Sequence, residues 1–218
     1  MNKPSTPPPA GAAPIDTVMF DLGRVLLKVD TEAFLDAFVE RFNKPRHLAA
    51  SVALKEKFLY DWETGRLSQA EVRAYLNENL GLNLAPQELR DWILTHVPGA
   101  EELPGMHALV QGLKRAGFRV IGLSNIAPLT LAYVNRLSPA VQALDELYAS
   151  CELELFKPDP EIYRVVLAAE NKRPEQVVFV DDRPENIAAA AQLGLAVVPG
   201  EGPDRVIAGL AALGVLPA

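Results

Sequence analysis

The groups in this chain best suited to act together chemically are Asp21, the pair Ser124-Asn125 and the pair Asp181-Asp182. Each follows directly on a short apolar run: Thr17-Val18-Met19-Phe20, Val120-Ile121-Gly122-Leu123 and Val177-Val178-Phe179-Val180. Runs of that length read as buried strands rather than helices. Ligands of open α/β sheets bind just beyond the carboxyl ends of the strands. Carboxylates, a hydroxyl and an amide gathered there make a metal-and-anion site. Adjacent acids in a cleft raise each other's pKa, and a bound cation reverses that. Mg²⁺ takes near-octahedral oxygen coordination from one or two carboxylates, waters and a substrate phosphate, so it suits this set. Taken alone, Asp182 reads equally well as a helix N-cap before Pro184, with Asp181 a solvated loop acid. The company of the other two strand ends favours the site.

Whether these ends meet depends on the rest of the pattern. Asp30-Thr31 makes a helix start, and the chain is helical in character from there to about residue 98. Phe34, Phe38 and Phe42 form one stripe, and Val52, Phe58, Leu59 and Trp62 mark a second helix. Ser68-Gln69-Ala70-Glu71 has capping-box spacing and opens a third helix, with Val72, Leu76 and Leu80 on one face and Gly81 at its end. Pro86 opens a fourth, carrying Leu89, Trp92, Ile93 and Val97. Four amphipathic helices with no strand among them bury their stripes on one another or on a neighbour.

From Pro104-Gly105 onward, strand and helix alternate. A helix through Leu109 and Leu113 ends at Gly117 before the strand to Ser124; a helix follows Pro128, and a weaker one runs from about Val141 to Leu147. Asp159-Pro160 opens the next helix. The strand to Asp181 then leads to a helix from Pro184 to Gly194, a strand over Leu195 to Val198 and a last helix over Asp204 to Leu213. The pattern predicts an α/β fold, a doubly wound (Rossmann-like) parallel sheet covered on both faces. Asp21 and Ser124 are 103 positions apart, whereas a βαβ unit takes about 30 residues. The helical bundle is therefore expected as a cap at residues 30–100, inserted into a core made of 15–29 and 101–218.

Composition narrows the class. The 218 residues carry 21 basic and 28 acidic side chains, a net charge of −7, which argues against a broad nucleic-acid surface. A single cysteine, Cys151, excludes an internal disulfide framework, and no Cys/His spacing suits zinc. No apolar run approaches the ~20 residues of a membrane span. The first 14 residues hold five of the 18 prolines and no apolar stretch, so an extended, disordered tail is expected. Lack of a secretory pattern and of paired cysteines points to the cytoplasm.

Four ordered motifs resemble those of the haloacid dehalogenase-like hydrolases. They are Phe20-Asp21-Leu22-Gly23-Arg24-Val25-Leu26, Leu123-Ser124-Asn125, Phe156-Lys157-Pro158-Asp159-Pro160-Glu161-Ile162-Tyr163 and Val180-Asp181-Asp182-Arg183-Pro184-Glu185-Asn186. The resemblance spans nearly all the chain past the tail and includes that family's helical cap. It implies Mg²⁺-dependent hydrolysis of a small phosphate ester, a sugar phosphate above others, with Asp21 as the nucleophile that becomes an aspartyl-phosphate. By the same resemblance, Ser124 and Lys157 hold phosphoryl oxygens, and Asn125 orders the loop behind Ser124. Asp21, the carbonyl of Gly23 and Asp182 ligate Mg²⁺, with Asp181 adjacent, directly or through water.

One position departs from the family pattern. Its phosphatases usually carry a second acid two residues after the nucleophile, to protonate the leaving oxygen and then activate water; here that place is Gly23. Such assistance is worth ~10²–10⁴ in rate. Some capped sugar-phosphate phosphatases of the family also read Asp-Leu-Gly, so turnover survives the change there. A weakly turning phosphate-binding protein is the alternative. Carbon–halogen cleavage is a third, ranked lower because the dehalogenases work without metal and typically replace the paired acids that this chain keeps at 181–182. Lys44, Lys55 and Lys57 read as solvated cap residues, which leaves no support for the family's Schiff-base chemistry. Tyr60-Asp61-Trp62-Glu63-Thr64-Gly65-Arg66 resembles the cap loop of the sugar-phosphate phosphatases. It makes Glu63 and Arg66 candidates for the leaving group's hydroxyls, against the plainer alternative of solvated charges in a turn. The oligomeric state is left open.

Overall fold

The computed structural model describes residues 14–96, 101–200 and 202–216. The tail expected over residues 1–14 lies outside them save for Pro14, as does Val97. Five parallel strands form one sheet: β1 (Thr17–Phe20), β2 (Arg119–Ser124), β3 (Glu146–Ala149), β4 (Val177–Asp181) and β5 (Ala196–Pro199), in the spatial order β3-β2-β1-β4-β5. The chain builds outward from β1 through β2 to β3, then crosses back to β4 and β5. The three strand ends that carry the candidate groups, those of β2, β1 and β4, are thus neighbours at the centre of the sheet.

Side chains alternate across it as a pleated strand requires. Val18, Phe20, Val120, Val178 and Val180 enter one apolar cluster, which Val110, Leu113, Val206 and Leu210 complete. Met19, Ile121, Leu123, Val177 and Phe179 enter the other, with Ile162, Tyr163 and Val166. Burial on both faces explains why these strands read as unbroken apolar runs.

The first five helices after β1 are α1 (Thr31–Phe42), α2 (Arg46–Ala53), α3 (Glu56–Glu63), α4 (Gln69–Leu80) and α5 (Pro86–His96). They share a third apolar cluster built on Phe38, Phe58, Leu76, Leu89 and Trp92. Local signals did their work here. Asp30 caps α1 by accepting from Ala33 N, Ser68 and Glu71 form the reciprocal capping box of α4, and Gly81 ends α4 in the left-handed region at φ 58°. The second expected helix is in fact two, broken at Leu54-Lys55. The segments on either side of the helices run side by side: Lys28 N donates to Glu101 O and Leu103 N to Leu26 O. Both crossings between the helical layer and the sheet domain therefore lie next to the end of β1.

Beyond β2 the order is α6 (Met106–Arg115, which precedes it), α7 (Pro128–Leu137), α8 (Pro139–Gln142), β3, α9 (Ser150–Leu153), α10 (Pro160–Ala169), β4, α11 (Pro184–Gln192), β5 and α12 (Pro203–Ala212). The weak helix expected from Val141 to Leu147 is a correction: the helix stops at Gln142, and Glu146–Ala149 is the edge strand β3. Among the described residues, no helix is long and apolar enough to cross a membrane.

Candidate active site

Lys157 is the hub. Its side chain is 1% exposed, and its ammonium donates to Asp21 Oδ1 at 2.7 Å, to Asp181 Oδ2 at 2.8 Å and to the carbonyl of Leu123 at 2.7 Å. An ammonium has three protons, so its donors are used within the protein. The two carboxylates hold Lys157 above the ordinary range, although burial alone would depress it. A pair of reciprocal bonds fixes the loop that carries it: Asn125 Nδ2 donates to Lys157 O, and Lys157 N donates to Asn125 Oδ1, each at 2.9 Å. Asn125 thus ties the end of β2 to the loop before α10.

Asp181 is fully buried and saturated. Its Oδ1 accepts from Arg183 N at 2.8 Å and from Asn186 Nδ2 at 3.0 Å; its Oδ2 accepts from Lys157 and from the same amide. Asp182 keeps 10% of its side chain exposed and meets the Arg24 guanidinium at 3.5 Å. It does not cap α11, whose N-cap is Arg183 with no side-chain cap bond.

One carboxylate oxygen from each of Asp21, Asp181 and Asp182 lies within 4.8 Å of the other two. Burial pushes Asp21 up to about 6; Lys157 opposes this, and Asp181 and Asp182 add to it. Burial and Asp181 also raise Asp182, against Arg24. Three crowded acids share one buried ammonium and one exposed guanidinium, which leaves negative charge uncompensated. In the same wall, Asn186 Oδ1 is a buried acceptor that no donor reaches among the described residues. Hard oxygen donors, excess negative charge and an open acceptor fit a divalent cation with attached water, as Mg²⁺ would supply.

Asp21, Gly23, Ser124, Asn125, Lys157 and Asp182 line one cavity of about 540 Å³. Away from the acids it runs into the helical layer between Phe34, Phe58, Trp62, Leu89 and Trp92. Glu63 lines it as well. Arg66 does not: it is exposed, its guanidinium 4.9 Å above the Tyr60 ring. Three contributors escaped the sequence reading. Arg183 and Asn186 lay inside a motif but carried no assigned role, and Ser150 gave no signal at all. Its hydroxyl donates to Glu63 O and accepts from Ile126 N at 2.8 Å, a contact between residues 87 positions apart.

The chain is thus a parallel α/β sheet with a helical insertion after its first strand and an acid–lysine cluster across three central strand ends. The chain belongs to the haloacid dehalogenase-like hydrolase family, which it matches over residues 15–194. Relatives differ in activity at the same distance. It is 26% identical to a D-ribitol-5-phosphate phosphatase of Bacteroides thetaiotaomicron, covering 83% of this chain and 89% of that one. It is also 26% identical to an (S)-2-haloacid dehalogenase of a Pseudomonas species, covering 85% and 84%. Among solved structures, a HAD-like family hydrolase from Porphyromonas gingivalis superposes with a TM-score of 0.75 at 29% identity, over 90% of this chain and 96% of that one. A HAD family enzyme of Bacteroides thetaiotaomicron, in complex with magnesium and inorganic phosphate, gives 0.69 at 25% identity over 84% and 92%.

Proposed function

We propose that this hydrolase is a Mg²⁺-dependent phosphomonoesterase that acts on a small phosphorylated metabolite through an aspartyl-phosphate on Asp21. The observation that carries the proposal is the retained acid trio, with Lys157 bonded to both Asp21 and Asp181. A metal-free dehalogenase would have no use for three acids this close. Chains of both activities are similar to this one, and the retained acids support the phosphatase reading.

A carboxylate oxygen of Asp21 attacks phosphorus and the ester P–O bond breaks, which splits one difficult displacement into two easier ones. Water then attacks the aspartyl-phosphate, releasing phosphate and regenerating Asp21. Lys157 holds Asp21 ionised and aimed, and its charge acts on the phosphoryl group at short range through the carboxylate it touches. Ser124, at the end of β2, supplies a hydroxyl to a phosphoryl oxygen. Asn125 keeps the Lys157 loop in register. Asp21, the Gly23 carbonyl and Asp182 would hold Mg²⁺, with Asp181 adjacent to it, directly or through water, while Asp181 also positions Lys157. Bound Mg²⁺ neutralises charge on the transferring phosphoryl group.

A sugar phosphate is favoured by the likeness of the Tyr60–Arg66 turn and by the phosphatase relative. The apolar walls between Phe34 and Trp92 also suit a leaving group with an aromatic or aliphatic body. We place the enzyme in the cytoplasm because its lone cysteine leaves it independent of an oxidising compartment. Phosphate release from a broad panel of phosphorylated metabolites, with and without chelator, tests the proposal. Chelator-sensitive turnover is expected, abolished in Asp21→Asn; no release from any member, or release indifferent to that substitution, refutes it.

A further inference from the structure

Phosphomonoester hydrolysis needs a proton for the departing oxygen and then a base for water, and Gly23 offers neither. We propose that Glu63, the last residue of α3, is the general acid and base of this site, acting from the cap side of the cavity. The inference rests on the phosphomonoesterase proposal and adds a catalytic residue to it.

The first reason is what else is available. Among the described residues, the carboxylates lining the cavity are Asp21, Glu63 and Asp182, and no histidine lines it. Asp21 is taken by nucleophilic attack and Asp182 by the metal. The protons of Lys157 are committed to Asp21, Asp181 and Leu123. A guanidinium is no proton shuttle near neutrality, which sets Arg24 and Arg183 aside. Glu63 remains, and among the described residues its carboxylate takes part in no hydrogen bond or ion pair, so nothing else claims it.

The second reason is how its backbone is held. The buried hydroxyl of Ser150 joins Glu63 O to Ile126 N, two residues past Ser124, so one side chain fixes the end of α3 against the loop that carries the site. Gly65, at φ +72°, seats the turn on the core: a Cβ there would lie 2.8 Å from the carbonyl oxygen of Cys151. Thr64 is fully buried and donates to Tyr60 O at 2.6 Å. A solvated acid in a surface turn has no need of such clamping; a group that must meet a leaving oxygen does. The charges that act on Glu63 are Arg183 from the start of α11, Asp21 from β1 and Lys157 from the loop before α10. Burial outweighs their sum and pushes Glu63 up to about 7, where both forms are populated.

As an Asp21 oxygen bonds to phosphorus, the P–O bond to the leaving group breaks, and its electron pair goes to the leaving oxygen. That oxygen takes the Glu63 proton and departs as an alcohol. Ionised Glu63 then takes a proton from water while the water oxygen bonds to phosphorus; the bond to Asp21 breaks, and its electron pair returns to the Asp21 carboxylate.

The test compares Glu63→Gln with wild type on benzyl phosphate, which leaves as a poorly acidic alcohol, and on p-nitrophenyl phosphate, which needs no proton to leave. The variant is expected to lose ~10²–10⁴ in kcat/KM on benzyl phosphate. On p-nitrophenyl phosphate it should release about one equivalent of nitrophenolate per enzyme in a burst and then stall, because water has lost its base. Inorganic phosphate binding in the presence of Mg²⁺ should be retained, which shows the site intact. Equal slowing on both esters with no burst, or no slowing on either, overturns the assignment. Wild-type enzyme inactive on both esters with Mg²⁺ overturns the phosphomonoesterase proposal, and this one with it.

Discussion

Keeping a proton on a buried acid at neutral pH has a stability consequence that can be measured without any substrate. Glu63 is raised from 4.5 to about 7 by burial. Between those values the folded protein holds a proton that the unfolded chain has released, so stability falls as pH rises, by about 1.4 kcal/mol per unit. The contribution is whole below the unfolded pKa and gone once the pH passes the folded one. The full shift amounts to about 3 kcal/mol, and the partial exposure of Glu63 trims this to about 2–3 kcal/mol. Glu63→Gln cannot titrate and keeps the shape. In chelator, the variant should differ from wild type by less than about 1 kcal/mol at pH 5 and exceed it by about 2–3 kcal/mol at pH 8, or about 5–10 °C in Tm for a chain of this size. Urea or thermal unfolding at half-unit steps from pH 5 to 8 reads the difference directly. A gap that does not change with pH, or a variant less stable at pH 8, refutes the reasoning.

Other outcomes follow from the same geometry. Lys157→Met leaves Asp21 and Asp181 buried without their cation, and unfolding in chelator should show a loss of about 3–5 kcal/mol. Ser150→Ala removes the hydroxyl shared by Glu63 O and Ile126 N; calorimetry should show about 1–3 kcal/mol lost, with a fall in kcat larger than any change in KM. At Gly23, a Cβ would lie 3.3 Å from Val29 Cγ2 and 3.9 Å from Asp21 Oδ2, and no left-handed backbone is required. Gly23→Asp should therefore fold with a cost of about 1 kcal/mol, and in the Glu63→Gln background it should restore benzyl phosphate turnover at least ~10-fold; no recovery would mean that the missing acid is not what limits that variant.

The sheet was legible because β1, β2 and β4 are buried on both faces and so appear as unbroken apolar runs, each closed by a polar residue. Helix ends were legible where the signal is local: the Ser68–Glu71 box, the Asp159 cap and the left-handed Gly81 all fall where expected. Strand β3 was not. Glu-Leu-Tyr-Ala is a four-residue edge strand whose first position is exposed and next two half-buried, and pairing with Ile121–Ser124 defines it rather than its own composition. The break at Leu54-Lys55 carries neither Gly nor Pro, so two short helices read as one.

At the site, Asp21, Ser124 and Asp181-Asp182 could be read from their strand ends, and Lys157 through its motif. What Lys157 touches could not, because its three partners lie just past β1, in β2 and in β4 and meet only in the folded sheet. Ser150 lies beyond any sequence reading for the same reason: its hydroxyl is useful only where the cap turn meets the core. Arg66 and Glu63 sit three residues apart in one turn and looked alike. The end of α3 aims Glu63 into the cavity and turns Arg66 onto Tyr60.

The claim beneath all of this is that Asp21 becomes phosphorylated. Acid quench during turnover of p-nitrophenyl phosphate with Mg²⁺, followed by peptide mass spectrometry, addresses it directly, with Glu63→Gln used to let the intermediate accumulate. A peptide carrying one added phosphoryl group on Asp21, absent with chelator and absent in Asp21→Asn, is the predicted result. Steady Mg²⁺-dependent turnover with Asp21 never modified, or with the phosphoryl group on another residue, would contradict it.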